Sequence, residues 1–391
     1  MKLQLNAEKL VSRGEALAHH EGKTVFIRGA LPDEVVLAEV IENKRDYLRA
    51  EVIEIIQPSS YRVQPHCPYY GTCGGCDLQH LDYAQQSCIK QEIVKENIKR
   101  IGSCDVDDPD NHVVVLPPAS SQGWGYRSRV RFHVDLKSGA CGFLGRRSRD
   151  LVDIHHCPIL CDSLDLLLDE KRPLLLKAAA MRQSQQPQEK RHAYVEVPAF
   201  AGDRGVSLSE HPVSVTIEGK TLWANADVFF QNNRYLVPKM VDFVKTYTTG
   251  TTIVDLYAGV GTFAAFVERE DYEVIAIERD SRCLALAQKH LQYAKFSTKS
   301  AEQYYRSPAE GQVDTVIVDP PRTGLDKQTI EAICSWKPQR IIYVSCDSVT
   351  LSRDCKNFAQ QGYALQVLQV FDLYPQTSHI EAAVVLSRSS E

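Results

Sequence analysis

The chain has 391 residues, of which 43% are hydrophobic and 24% charged, a balance ordinary for a globular protein of two or three domains. It has no apolar run of about 18 residues, and Met-Lys-Leu-Gln-Leu-Asn-Ala-Glu-Lys at its start has no apolar signal-peptide core, so the expectation is a cytoplasmic protein with no membrane partner. A net charge of −5 gives nucleic-acid binding no support, without excluding a local basic face, and twelve cysteines in a reducing compartment point to metal or catalysis rather than disulfides.

Residues 1–62 read as a small all-β module. Short β-prone runs at Thr24–Arg28, Val35–Val40 and Ala50–Ile56 are punctuated by Gly22, Gly29 and Pro32 and closed by Pro58. A five-stranded barrel of the kind that often binds RNA fits this spacing. Residues 63–230 mix strands and helices. A cysteine-rich loop comes first, then helical periodicity at Tyr83–Arg100 and Ser163–Met181. A polar, loop-like Gln183–Lys190 precedes strands at His192–Val197, Val213–Ile217 and Lys220–Trp223. From 231 to 391 strands alternate with helices. The runs Thr252–Tyr257, Val274–Glu278, Thr315–Asp319, Arg340–Val344 and Ala382–Leu386 are nearly all apolar, which predicts strands covered on both faces in a parallel, doubly wound α/β sheet.

Within that alternation, Asp255-Leu-Tyr-Ala-Gly-Val-Gly-Thr-Phe263 is a strand, a glycine turn and a helix start. Gly259 and Gly261 let the backbone turn tightly against a ligand. Ala264 stands where the dinucleotide fingerprint G-x-G-x-x-G ends, which argues against a nicotinamide cofactor. Glu278 closes the next strand, at the right distance to accept hydrogen bonds from ribose hydroxyls. Two acidic strand ends suit a cofactor that carries no phosphate there, and S-adenosylmethionine, an adenosine with a cationic amino-acid tail, is such a ligand.

Asp319-Pro-Pro-Arg322 resembles the methyltransferase segment that holds a base to be modified. Amine methylation favours an aromatic residue after the second proline; Arg322 stands there instead. The loop has no cysteine, and the thiol at the neighbouring strand end is Cys346, in Arg340-Ile-Ile-Tyr-Val-Ser-Cys-Asp347. Carbon 5 of uracil is a poor nucleophile. A thiolate that adds to carbon 6 shares negative charge onto carbon 5, which can then attack a sulfonium methyl group. A base must afterwards remove the carbon-5 proton so that the thiol can leave, and Glu381 is the candidate. Singly, each residue has a structural reading: Cys346 as core packing, Glu381 as a solvated strand flank or ion-pair partner, His379 as structural, Asp319 as a loop cap. The functional reading rests on their meeting at one sheet edge.

Cys67, Cys73 and Cys76 have metal-ligand spacing, but four thiolates suit zinc and iron–sulfur equally and a fourth ligand is needed, with Cys157 and Cys161 the rivals. Arg127, Arg129 and Arg131 alternate with Ser128, Val130 and Phe132, which places the arginines on one strand face. Arg146, Arg147 and Arg149 follow. Together they read as a phosphate-binding surface, with a solvated strand face as the structural alternative.

Asp-Pro-Pro-Arg, Val-Ser-Cys-Asp followed by Thr350-Leu-Ser-Arg-Asp354, and Tyr374-Pro-Gln-Thr-Ser-His-Ile-Glu381 resemble the RNA uridine-5 methyltransferase family, over almost the whole chain. The resemblance implies a Rossmann-like S-adenosylmethionine methyltransferase domain at 231–391, a TRAM-like β-barrel at 1–62 and a central RNA-binding domain at 63–230. It implies Cys346 as nucleophile and Glu381 as base. It implies Gln231, Tyr257, Glu278 and Asp319 as cofactor contacts, with Thr262 beside them where some members have asparagine. Cys67-Pro-Tyr-Tyr-Gly-Thr-Cys-Gly-Gly-Cys76 resembles the iron–sulfur segment of the ribosomal RNA branch, with Cys157 as fourth ligand of a [4Fe–4S] cluster. Two positions depart from the family pattern: Pro32-Asp33-Glu34 replaces Pro-Gly-Glu, and an asparagine common in the helix after Glu278 is missing around Gln288-Lys-His290. The reading is a monomeric enzyme that methylates carbon 5 of a uridine in 23S ribosomal RNA. A tRNA uridine-5 methyltransferase, and an RNA-binding protein with an inactive methyltransferase fold, are the alternatives.

Overall fold

The computed structural model describes residues 1–185, 193–304 and 313–388. Its N-terminal sheet consists of Lys2–Asn6 (β1), Lys9–Val11 (β2), Glu15–His20 (β3), Lys23–Arg28 (β4), Val35–Asn43 (β5) and Tyr47–Gln57 (β6). The spatial order is β1-β5-β6-β4-β3-β2, antiparallel except for the β4–β6 pair. This is six strands against the five expected. Ala16 and Ala18 of β3 are fully buried, yet alanine carries little β signal in sequence, so the first strands leave a weak trace in the pattern. Asp33, in the place of the family's glycine, takes the left-handed φ of 66°. The next residue, Glu34, is buried and bound by Arg62, which donates from Nη2 at 2.7 Å, and by the backbone N–H groups of Leu31 and Ser59.

The predicted helix forms over Tyr83–Arg100 (α1), where the Asp82 carboxylate caps the first turn through Ala84 N. Ile93, Val94 and Ile98 join a buried core shared by the N-terminal sheet and the C-terminal region. Val114–Val115 (β7) leaves for the far edge of the C-terminal sheet. Then come Arg129–Val134 (β8), Cys141–Leu144 (β9) and Leu151–Asp153 (β10). The helix expected over Ser163–Met181 is broken into Asp162–Asp165 (α2), a 3-10 turn and Arg172–Ser184 (α3). Pro173 stands at the start of α3, where it is tolerated, and it cannot continue a helix from upstream. Gln183 and Ser184 therefore end a helix; Gln186–Lys190 and the predicted strand start at His192 lie outside the described residues. Val195–Gly202 (β11) and Gly205–Ser207 (β12) complete an antiparallel sheet of order β10-β9-β8-β11-β12. Val213–Ile217 (β13) and Lys220–Ala224 (β14) form a hairpin.

Val237–Tyr247 (α4) opens the C-terminal region, followed by Thr252–Leu256 (β15), Ala264–Val267 (α5), Glu273–Ile277 (β16), Ser281–Ala287 (α6), Lys295–Ser297 (β17) and Ala301–Tyr304 (α7). Thr315–Val318 (β18), Lys327–Ser335 (α8), Arg340–Ser345 (β19), Ser348–Ala359 (α9), Tyr363–Phe371 (β20) and Glu381–Arg388 (β21) complete it. The sheet runs β17-β16-β15-β18-β19-β21-β20-β7. Ile253 and Val254, or Ile341 and Ile342, face different buried clusters, so both faces are covered as the apolar runs predict. The α/β, Rossmann-like class holds, but the sheet is mixed rather than wholly parallel. Residues 372–380 join β20 to β21 without a helix, and so short a link cannot make a parallel crossover. β21 therefore enters antiparallel between β19 and β20. Among the described residues no helix is long and apolar enough to cross a membrane.

Candidate active site

A cavity of about 570 Å³ opens at the C-terminal ends of β15, β16, β18 and β19, where open α/β sheets bind ligands. The turn after β15 is built on left-handed backbone at Tyr257 (φ 59°), Gly259 (φ 56°) and Gly261 (φ 74°). A side chain at Gly261 would start 2.7 Å from Leu291 Cδ1, so the turn requires glycine there. His290, in the turn that follows α6, contacts the Val260 carbonyl through Nε2 at 2.9 Å, in the region where the asparagine common in the resembled family is missing. Glu278 accepts from Gly259 N at 3.1 Å and from Asp280 N at 2.8 Å. Asp255 is fully buried and accepts from Ala264 N at 3.1 Å. Desolvation, with Asp319 and Glu278 adding to it, pushes its carboxyl up to about 8.

Gln231 donates from Nε2 to Asp319 Oδ2 at 3.0 Å, while its Oε1 is buried without a partner. Gln231, Tyr257, Gly259, Glu278 and Asp319 all line the cavity. Thr262 does not; it is buried in the turn behind it. Sequence reasoning missed Phe229 and Tyr374. Phe229 is exposed at the rim with the Arg129 guanidinium 5.6 Å from its ring centre, and the Tyr374 hydroxyl accepts from Asn232 Nδ2 at 3.2 Å. An aromatic residue beside an apolar cavity is the signal that would have found them, but it needs the fold to be seen.

Cys346, Arg322, His379 and Glu381 line the same cavity. Cys346 lies between the end of β19 and α9, whose first turn Asp347 caps by accepting from Val349 N and Thr350 N. Desolvation, then the carboxyls of Glu381 and Asp319, push the Cys346 thiol up to about 11; a hydrogen bond and the charge of Arg322 oppose them. Arg322 Nη2 also donates to His379 Nδ1 at 3.0 Å. Desolvation at the cavity mouth and the Arg322 charge hold His379 down at about 4, so it is neutral at pH 7. Desolvation raises Asp319 to about 7, against the hydrogen bond from Gln231. Glu381 is buried, and desolvation and then Asp319 raise its carboxyl well above the carboxylate range. A cationic ligand would relieve this crowding of acids, and the unpaired Gln231 Oε1 is an acceptor for its ammonium group. The residues present thus fit S-adenosylmethionine.

Cys67, Cys73, Cys76 and Cys157 line a second cavity, of about 400 Å³, with Arg127 and Arg131. Cys161 does not line it, and its sulfur contacts Ser163 Oγ at 3.5 Å. Desolvation, then Cys73 and Cys67, raise the Cys76 thiol to about 12, and desolvation, then Cys76, raise Cys157. Arg127 acts in the opposite sense on both. Cys76 thus feels the neighbouring Cys73 and Cys67 thiols, and Cys157 feels Cys76 and Cys73. Among the described residues no group of three or more His, Cys, Asp or Glu is arranged to hold a metal ion.

The three arginines of the expected phosphate surface are not equivalent. Arg127 donates to Arg129 O at 3.1 Å and Arg129 to Val228 O at 3.1 Å, both half-buried. Arg131 is exposed and pairs with Glu196 at 3.0 Å. Arg147 and Arg149 are exposed, whereas Arg146 lies 3.5 Å from Asp77.

Residues 308–389 match the family model described as tRNA (Uracil-5-)-methyltransferase, residues 5–53 the TRAM domain and residues 233–335 the methyltransferase small domain. The chain is 28% identical to an uncharacterized RNA methyltransferase of Treponema denticola, over 98% of this chain and 99% of that protein. It is 28% identical to the 23S rRNA (uracil(1939)-C(5))-methyltransferase RlmD of Vibrio parahaemolyticus, over 99% and 98% of the two chains. For the enzyme of the same name from Shewanella woodyi the identity is 29%, over 99% and 96%. The solved structure of a Pyrococcus abyssi tRNA (uracil-54, C5)-methyltransferase, in complex with S-adenosyl-L-homocysteine, superposes with a TM-score of 0.73. It is 21% identical and covers 98% of this chain and 99% of its own, which is a likeness of fold.

Proposed function

Because the chain is an enzyme of the RNA (uracil-5-)-methyltransferase family, which uses S-adenosylmethionine to methylate uracil in RNA, we propose that its substrate is a uridine of 23S ribosomal RNA and that Cys346 attacks it covalently. The observation that carries this reading is the single cavity lined by Cys346, Asp319, Glu381 and the Gly259 turn. The ribosomal substrate is supported by the Vibrio and Shewanella relatives, similar over nearly their whole length.

Gln231, Tyr257, Glu278 and Asp319 hold the cofactor, and Asp319 also touches the target base. S-adenosylmethionine supplies an electrophilic methyl group. The Cys346 thiolate would add to carbon 6 and charge would develop on carbon 5, whose new carbon–carbon bond would form as the methyl–sulfur bond of the sulfonium breaks and its electron pair stays on the departing thioether sulfur. Arg322 stabilises the thiolate before attack, since it is the cation that lowers Cys346. Glu381 then takes the carbon-5 proton, the electron pair of that C–H bond restores the ring double bond, and Cys346 leaves as thiolate. The target base must leave its stack to enter the cavity. Residues 1–62 and the exposed Arg131, Arg147 and Arg149 contact RNA phosphates.

Cys67, Cys73, Cys76 and Cys157 would hold a [4Fe–4S] cluster. Methyl transfer needs no electron, so its contribution is to fix the fold of residues 63–230.

The test is RNA that carries 5-fluorouridine. Fluorine cannot leave as a proton, so with cofactor present the enzyme should become trapped on ribosomal RNA through Cys346. Trapping on transfer RNA alone would replace the substrate, and no adduct with any cellular RNA would sink the covalent reading.

A further inference from the structure

Glu381 is the one proposed reacting group whose own carboxyl makes no hydrogen bond among the described residues. Its position comes from the backbone: from β21, which it begins, and from residues 372–380, which deliver it. That segment is held from outside its own domain. Asp77, next to the cysteine-cavity residue Cys76, accepts from Ser378 Oγ at 2.9 Å and from Ser378 N at 3.3 Å. The backbone N–H groups of Asp77 and Leu78 both donate to Gln376 O at 3.0 Å.

Helix α1 adds a second grip. The Gln86 amide pairs twice with Gln376: Nε2 donates to Oε1 at 3.1 Å, and Oε1 accepts from Gln376 N at 2.8 Å. The same Nε2 reaches Leu78 O at 3.1 Å and Leu81 O at 3.0 Å. Lys90, one turn further along, donates to Asp372 Oδ1 at 2.6 Å and to Tyr374 O at 3.0 Å. The Tyr126 hydroxyl donates to Pro375 O at 2.9 Å. Gln376 is buried and sits at the left-handed φ of 67°, a conformation a non-glycine residue keeps only where its surroundings over-determine it.

We propose that Asp77 and Gln86 are positioning residues for Glu381: they lock residues 374–378 so that the Glu381 carboxyl faces carbon 5 of the bound base, and so couple the cysteine-bearing loop to the proton-removal step. The inference rests on the role proposed above for Glu381. It makes a chemical distinction. If only proton removal is disturbed, thiol addition and methyl transfer still occur, and the methylated ring stays bonded to Cys346.

The experiment uses the full-length protein with ribosomal RNA and S-adenosylmethionine. Asp77→Ala should lower turnover by tenfold or more, still trap 5-fluorouridine RNA, and, unlike the parent, accumulate a covalent adduct with ordinary uridine RNA. Asp77→Asn, which keeps an acceptor for Ser378, should restore turnover. S-adenosylhomocysteine binding, unchanged in both, reports an intact fold; if Asp77→Ala does not fold, Ser378→Ala removes the shorter of the two Asp77–Ser378 hydrogen bonds from the other side and should give the same pattern in weaker form. Unchanged turnover, or loss of turnover with no adduct on ordinary uridine, overturns the coupling. Amide hydrogen exchange over 374–380 gives a readout that needs no reaction: it should quicken in Asp77→Ala, and unchanged exchange overturns the lock. Failure of the parent itself to trap 5-fluorouridine RNA would strike the covalent reading and leave the exchange result standing.

Discussion

One guanidinium serves two neighbours: Arg322 donates to His379 Nδ1 at 3.0 Å, and its charge draws the Cys346 thiol down. His379, neutral at pH 7, accepts that bond and fixes the fork. The Cys346 thiol stands near 11, above its ordinary value, so at pH 7 its charged form is scarce. Raising the pH restores thiolate, and trapping of 5-fluorouridine RNA should therefore accelerate by about tenfold per unit from about pH 7 to pH 10. Arg322→Gln removes the group that lowers the thiol, so the rise should move to higher pH and the rate at pH 7.5 should fall by about tenfold or more. Stopped-time trapping across that range checks both. A midpoint that does not move in Arg322→Gln means that the arginine does not tune the thiol.

Cys346→Ala should abolish methylation and trapping together. S-adenosylhomocysteine affinity should stay within about threefold of the parent, since the ribose and amino-acid ends of the cavity are built by other residues. Calorimetric titration beside a tritium-transfer assay separates the two. Retained turnover would refute the nucleophile.

Glu381→Gln should behave differently from Cys346→Ala. It keeps addition and methyl transfer and loses the base, so adduct should accumulate on ordinary uridine RNA while product release falls by about a hundredfold or more. Denaturing gels of RNA bound to protein read this directly. A variant with no adduct and no product would point to a role for Glu381 before the methyl transfer.

Much of this architecture is legible in the chain, and the failures have physical causes. Near-continuous apolar runs reveal β15, β16, β18 and β19 because a strand covered on both faces has no polar positions to disguise it. β20 escapes notice: Gln366 and Gln369 interrupt it, and its register shifts between Leu365 and Val367. Its partner β21 is apolar enough to be found, but its direction depends on the link 372–380, which local pattern does not encode. At the site, Cys346, Asp319 and Glu278 each end a strand and could be placed on one sheet edge from sequence. Thr262 lies in the glycine turn after β15 with Tyr257 and Gly259, yet it is buried and does not line the cavity as they do. Arg129 illustrates the limit of alternation: it lies on the expected face, but its Nε donates to Val228 O and its guanidinium lies against Phe229.

Anaerobic purification should give a brown protein with iron and sulfide in about equal amounts, near four of each per chain. Cys76→Ser should remove the colour. Stoichiometric zinc, or colour retained in Cys76→Ser, would overturn the cluster. Exposure to oxygen should bleach the parent without changing S-adenosylhomocysteine affinity, because the cysteine cavity and the cofactor cavity share no lining residue.

The Lys90–Asp372 pair gives a stability prediction. Both side chains are almost wholly buried, and Nζ and Oδ1 are 2.6 Å apart. Desolvation lowers the Lys90 pKa, so the cost of burying the ammonium exceeds what the Asp372 charge returns to it. Such a pair contributes little net stability when intact and costs much when halved. Lys90→Met leaves Asp372 buried, with Oδ2 already unpaired, and should cost about 3–5 kcal/mol in denaturant unfolding. Lys90→Met combined with Asp372→Leu removes both charges and should recover most of that loss. The double variant should nonetheless turn over more slowly than the parent, because Tyr374 O also loses its donor and the segment that leads to Glu381 is less tightly held. If Lys90→Met alone costs less than about 1 kcal/mol, the buried ion pair is not what pins residues 372–374 to α1.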